Sequence, residues 1–173
     1  MFSEPTEWNF VSCSNDSSCT VDRYNSFADT MVGTSHYYLI DGYHFNKTIW
    51  AREDTTERKV YMYATQAGPM IEEYLIYDFS MNVGDSLSLY NIQAPIPSQS
   101  GYFTLDSAKV LVYENISRKT FYLSGNDTTK GHLNRAIWIE GLGSMSLINT
   151  PGLFPDPIFS GASKCIYKSG IHF

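Results

Sequence analysis

Charge is scarce in this chain. Only 17% of its 173 residues are Asp, Glu, Lys or Arg, against roughly 25% in ordinary soluble domains. Acidic residues outnumber basic ones, 18 to 12, giving a net charge of −6. That balance argues against a nucleic-acid partner, which needs a basic face to release counterions from phosphates, and against an anionic membrane surface. The one basic cluster, Arg52, Arg58 and Lys59, is interrupted by Glu53, Asp54 and Glu57 and reads as a solvated hairpin. Long apolar runs are missing too. Nothing approaches the roughly 18 continuous apolar residues of a membrane helix, so no transmembrane segment is expected. The opening Met1-Phe2-Ser3-Glu4-Pro5 has neither the basic nor the apolar region of a signal peptide. Either a cytosolic protein or an exported one already freed of its leader would begin this way. Composition favours the second, with Met1 then an addition from cloning.

Catalytic and metal-binding signatures are also absent. The four histidines, His36, His44, His132 and His172, form no HExxH, and the three cysteines form no CxxC, so neither metal nor cofactor is expected. His36 and His44 flank an expected hairpin and could approach each other. Gly141-Leu142-Gly143-Ser144 fails the nucleophile-elbow pattern, and no phosphate-cradling glycine loop follows a strand. Glycosidase chemistry needs two facing carboxylates. Glu72, Glu73, Asp78, Asp85, Asp106 and Glu140 are present, but spacing selects no pair among them. No residue is assigned a catalytic role.

What the chain has in quantity is aromatic residues: 13 Tyr, 10 Phe and 3 Trp, within a hydrophobic content of 43%. Thr, Ser and Asn supply the polarity. Short runs rich in aromatic and β-branched residues are cut by turn residues, the pattern of strands. The clearest are 36–40, 60–63, 74–79, 87–90, 108–113, 120–123, 136–139 and 164–168, with weaker ones at 45–51 and 102–105. No amphipathic run spans three helical turns, although 26–36 could hold a short helix. The pattern predicts one all-β domain over residues 1–173, an antiparallel meander forming a small barrel or a β-sandwich. Residues 1–28 are expected as an N-terminal arm carrying a loop between Cys13 and Cys19.

Local chemistry refines this. Cys13 and Cys19 bracket a short polar loop, so a disulfide between them is expected in an oxidising compartment. Cys165, within Cys165-Ile166-Tyr167, reads as a small buried hydrophobe. In Tyr74–Phe79, alternation places Leu75, Tyr77 and Phe79 on one face. Trp138 reads as a core anchor, with Gly141 and Gly143 allowing positive φ or close backbone approach and Glu140 capping the turn's amides. An Asp followed by Ser or Thr recurs at residues 29, 54, 85, 106 and 127, good turn chemistry ahead of strands. Residues 143–163 mix prolines and glycines with Leu147, Ile148, Leu153, Phe154, Ile158 and Phe159. A loop this long and apolar must pack on something or bind something, and packing is the better reading.

Four stretches carry a family resemblance: Phe2…Trp8; Phe27-Ala28-Asp29-Thr30 followed by Tyr37-Tyr38-Leu39; Arg52-Glu53-Asp54 through Val60-Tyr61-Met62-Tyr63 to Tyr77-Asp78-Phe79…Val83-Gly84-Asp85; and Trp138-Ile139-Glu140-Gly141-Leu142-Gly143-Ser144. Together they resemble a broad group of uncharacterised exported all-β proteins of Bacteroidetes-type bacteria, often associated with type IX secretion sorting domains. The resemblance spans nearly the whole chain and includes no sorting domain. It implies an exported β-domain and carries no activity.

The resulting expectation is a monomeric, secreted or cell-surface, non-enzymatic module that binds a protein or a glycan. Its candidate binding residues are Tyr61 and Tyr63, which share one strand face, and Phe154 and Phe159 in the apolar loop; aromatic rings can stack on sugars or fill a partner's pockets. The alternatives are a secreted carbohydrate- or peptide-active enzyme and a secreted protease inhibitor. A deep pocket with two carboxylates would favour the enzyme, a projecting ordered loop the inhibitor, and an aromatic patch the binding module.

Overall fold

In a computed structural model the described residues form thirteen strands: β1 (Thr6–Cys13), β2 (Cys19–Val32), β3 (Ser35–Gly42), β4 (Phe45–Asp54), β5 (Lys59–Ala64), β6 (Glu72–Asp78), β7 (Ser86–Asn91), β8 (Ser98–Tyr113), β9 (Ile116–Gly125), β10 (Arg135–Ile139), β11 (Gly143–Ser144), β12 (Ala162–Lys168) and β13 (Ile171–His172). The structure describes all residues except 3, 16–17, 43–44, 65–71, 93–97, 128–130, 132–133, 159–160, 169–170 and 173; side chains are also left undescribed at 45–48, 64, 72, 98–99 and 172. No α-helix occurs among the described residues, and none of them forms a helix long and apolar enough to cross a membrane.

The strands form two curled antiparallel sheets. The first runs β13-β12-β1-β2-β3-β4-β5-β6 and the second β11-β10-β9-β8-β7. The chain meanders through the first sheet, crosses after β6, meanders back through the second, and returns through residues 145–161 to lay β12 beside β1. All the expected strands are present, and the two runs at 102–105 and 108–113 are one long strand, β8. Residues 26–36, read as a short helix, are the end of β2, its turn and the start of β3. Residues 1–28 are no arm. β1 and β2 lie inside the larger sheet, paired on both sides, and Met1 and Phe2 are buried.

Between the sheets lies one core. Trp8, Phe10, Tyr24, Ile40, Ala51, Met62 and Ile76 come from the first sheet, and Leu89, Phe103, Leu105, Phe121, Leu123 and Trp138 from the second. At its centre Tyr77 stacks on Phe79 (5.6 Å, 7° between planes) and meets Trp138 edge-on at 5.3 Å. Strict alternation would have kept Leu75 with those two rings. A shift in the β5–β6 register between Val60 and Tyr61 resets the phase, so Tyr77 and Phe79 are buried while Leu75 is half-buried.

The long apolar loop packs, but not with the residues expected. Ile148, Asn149 and Thr150 are fully buried, whereas Leu153 and Phe154 are half-buried and Ile158 is exposed; Phe159 lies outside the described residues. Three buried polar aromatic atoms hold this segment. Trp8 Nε1 donates to the Leu142 carbonyl (2.8 Å) and Trp138 Nε1 to that of Pro151 (2.8 Å). The Tyr77 hydroxyl donates to the Ile148 carbonyl and accepts from the Ser144 amide. Gly141 and Gly143 make the path possible, with φ of 78° and 101°; a Cβ on Gly143 would stand 2.7 Å from Met1 Cε. Glu140 does not cap this turn: its carboxylate is 2.6 Å from an Arg58 guanidinium nitrogen.

Tyr77→Phe keeps the ring and strands both of its hydroxyl's partners. It should cost about 1–3 kcal/mol, read as a lower urea midpoint with an unchanged slope. Ile148→Ala should cost about 2–5 kcal/mol, as a buried truncation does. Phe154→Ala, at a half-buried position, should cost less than Ile148→Ala in the same titration; a larger loss at Phe154 would mean the wrong part of the loop has been assigned to the core.

Candidate functional site

The outward faces of four neighbouring strands build the site. In β1 the side chains of Trp8 and Phe10 turn into the core, so Glu7 projects outward. Glu7 pairs directly with Tyr167 of β12 on one side and with Asn25 of β2 on the other, and Asn25 pairs with Asp41 of β3. Directly opposed residues share a face, with Cβ atoms about 4.5–5.5 Å apart. Tyr167, Glu7, Asn25 and Asp41 thus form a polar row running across the strands: phenol, carboxylate, amide, carboxylate.

A bulge adds an aromatic ring. Ser26 pairs with Ile40 and Ala28 with Leu39, leaving Phe27 without a partner in the ladder. Ser26 stays buried and anchored, its hydroxyl accepting the Thr6 amide at 3.0 Å. Phe27 is pushed outward and is 62% exposed. It stands between two open depressions. The larger, ≈ 550 Å³, is lined by Glu7, Asn25, Asp41, Phe27 and Tyr167, with Pro5 and Thr6 at its side. The smaller, ≈ 170 Å³, lies beyond Phe27 toward Glu4, Asp29 and Tyr38.

The row offers both senses of hydrogen bond. Glu7 is oriented by Asn9 Nδ2 (2.8 Å), with Arg23 Nε at 3.4 Å. Asp41 is exposed. Hydrogen bonding with Cys165 raises the pKa of the Tyr167 hydroxyl. Cys165 is therefore not the buried hydrophobe expected: it is half-exposed on the outer face. Among the described residues no group of three or more His, Cys, Asp or Glu is placed to hold a metal ion.

The residues singled out from the sequence lie elsewhere. Tyr61 and Tyr63 do share the outer face of β5, but their neighbours already use them. Tyr63 is 4% exposed, stacked on Trp50 at 5.5 Å and 9° and against Tyr37 at 5.8 Å. Tyr61 lies under the Arg52 guanidinium, 4.3 Å from ring centre. Arg52 donates two bonds to Glu73 (2.9 and 2.8 Å), which also accepts the Tyr37 hydroxyl at 2.7 Å. This is a satisfied network. Cys13 and Cys19 are disulfide-bonded and directly paired across the β1–β2 ladder, beside Pro155–Ile158. His36 meets Asp29 at 2.5 Å; His44 lies outside the described residues. Of the residues in the row, the sequence reading had singled out none as a site, and Phe27 only as part of the family resemblance.

The Arg52 network makes an acid-side prediction. Its bidentate bonds, with help from the Tyr37 hydroxyl, hold Glu73 below the usual carboxylate range against partial burial. A depressed folded pKa contributes stability above the unfolded value, about 4.3, and loses it as pH falls through the folded one. Thermal melting from pH 7 down to about pH 2.5 should therefore show the wild type declining below about pH 4. Glu73→Gln should be less stable at pH 7 and decline less steeply; identical slopes would remove Glu73 from the account. No protein-family model, curated protein or solved structure matches this chain, so the geometry alone carries the functional reading.

Proposed function

We propose that this is a secreted or cell-surface, non-enzymatic module that binds a neutral glycan along the polar row beside Phe27. The observation that carries the reading is the exposed Phe27 ring, set by a bulge in β2 beside the row of four cross-strand polar groups. An aromatic face packs against the apolar face of a pyranose ring. Carboxylate and amide oxygens accept from sugar hydroxyls, and the Asn25 amide NH₂ donates to them. Strands are spaced about 4.8 Å apart, a repeat close to that of consecutive sugars, so a short chain lying across the strands meets one polar group per ring. Glu7, Asp41 and the net charge of −6 disfavour uronates and sulfated sugars.

Openness supports binding over catalysis. Glu7 and Asp41 sit two strands apart, about 9–10 Å by strand spacing, near the separation of an inverting glycosidase pair. Acid catalysis, however, requires one carboxyl desolvated in a closed cleft, and here the depression is open and Asp41 exposed. Export is supported by the disulfide, which persists in oxidising compartments, and by the neutral-polar composition.

Affinity electrophoresis through gels cast with neutral polysaccharides, against gels with acidic ones, tests the reading. Retardation is expected in at least one neutral gel. Phe27→Ala should weaken it about tenfold without lowering the melting temperature, because Phe27 is exposed. Asn25→Ala should weaken it as well. An absence of retardation throughout the panel, or retardation unchanged in both variants, would sink the proposal.

A further inference from the structure

The outer half of β8 is an open strand edge. β7 pairs with β8 only at Ser98–Thr104, and Leu105 closes that side through reciprocal bonds with Gly84 and Asp85. Beyond Leu105, among the described residues, β8 pairs with β9 alone, out to a two-residue turn at Glu114-Asn115. Both turn residues have positive φ, 45° and 65°, the tight turn that matches strand twist. Such a turn makes Tyr113–Ile116 a hydrogen-bonded pair, and bonded pairs then alternate along the ladder. Leu111 and Lys109 bond to β9, while the backbone groups of Val110 and Val112 point away from it. Those two valines are also 69% and 68% exposed. A β-branched edge with its amides and carbonyls free is a template for another strand.

We propose that this edge pairs antiparallel with the same edge of a second copy of the chain, forming a two-fold dimer. The sequence Ala108-Lys109-Val110-Leu111-Val112-Tyr113-Glu114 is self-complementary in that arrangement. Centred on Leu111, each Val110 faces Val112 of the other copy, exchanging both backbone bonds and covering four exposed valines. Each Lys109 faces Tyr113 of the other copy and ends beside its Glu114 turn, so opposite charges meet. Parallel in-register stacking would instead set Lys109 on Lys109, which like-charge repulsion disfavours. The two-fold arrangement consumes the edge and closes at two copies. The sequence reading expected a monomer; this edge gives a specific reason to expect a weak dimer.

Sedimentation velocity on the whole chain from about 5 µM to about 0.5 mM spans the range of small interfaces. The mass should rise toward twice the monomer. Amide exchange at Val110 and Val112 should slow as concentration rises, while Lys109 and Leu111 stay protected throughout. Val112→Pro removes an outward amide and spares the β8–β9 ladder; it should weaken association at least about tenfold. Lys109→Glu should weaken it, and Lys109→Glu with Glu114→Lys should restore it. Val110→Lys, at an exposed position, serves the same purpose should Val112→Pro lose its wild-type melting temperature. A monomer at every concentration overturns the proposal, as does dimerisation at wild-type strength by folded Val110→Lys.

Discussion

Three polar atoms on large aromatic side chains have to be satisfied where no water reaches: Trp8 Nε1, Trp138 Nε1 and the Tyr77 hydroxyl. An orphaned donor there costs about 1–3 kcal/mol. All three find partners in one irregular stretch, Leu142 to Pro151. The requirement couples the sheets, because Trp8 and Tyr77 belong to the larger sheet and Trp138 to the smaller. It also explains how a stretch with almost no ladder of its own can be buried: three of its carbonyls accept from rings, the Ile92 amide donates to the Asn149 carbonyl, and Asn149 Nδ2 donates to the Ile92 carbonyl. The glycines and Pro151 give the stretch its shape, and the aromatic atoms fix where it lies.

With the inner face committed in this way, period-two alternation fixes the outer one. Trp8, Tyr24, Ile40 and Ile166 face inward, and their neighbours Glu7, Asn25, Asp41 and Tyr167 fall into register outside. A one-residue slip in any of the four strands would break the row and turn its outward side chains toward the core, so the register that builds the core also builds the site. Phe27 is the exception that alternation alone does not produce. Only the bulge frees it from the ladder and sets an aromatic ring beside the polar stripe.

The fold was legible because its signals are local. Aromatic and β-branched runs, turn dipeptides and the Cys13–Cys19 spacing each speak within a few residues. β1 and β2 were missed because their outward positions are polar and their inward ones widely mixed, so no dense apolar run announces them. The row was not legible because it is written across strands: Glu7, Asn25, Asp41 and Tyr167 come together only once three registers are known. Leu75 was misplaced and Phe27 passed over for one reason, an extra residue in one strand of a pair, which leaves no mark in composition. Glu140 was assigned to the nearest amides, whereas its partner Arg58 is 82 positions away in sequence. Tyr61 and Tyr63 were rightly put on one face, but only the structure shows Trp50, Tyr37 and Arg52 already lying on them.

The outer row and the β8 edge lie on different sheets, so strand pairing at the edge takes none of the residues that the row uses. That separation matters for a shallow site. An open depression with one aromatic ring and a few exposed polar groups desolvates little, and its single-site affinity is modest because ordering and partial desolvation consume much of the contact energy. Were the proposed dimer to carry two proposed rows, a second contact on the same polysaccharide would become an intramolecular event, and overall binding would exceed either site alone by orders of magnitude. The two proposals are thus linked: a repeating polymer that held two copies close would also raise the concentration at which their edges meet.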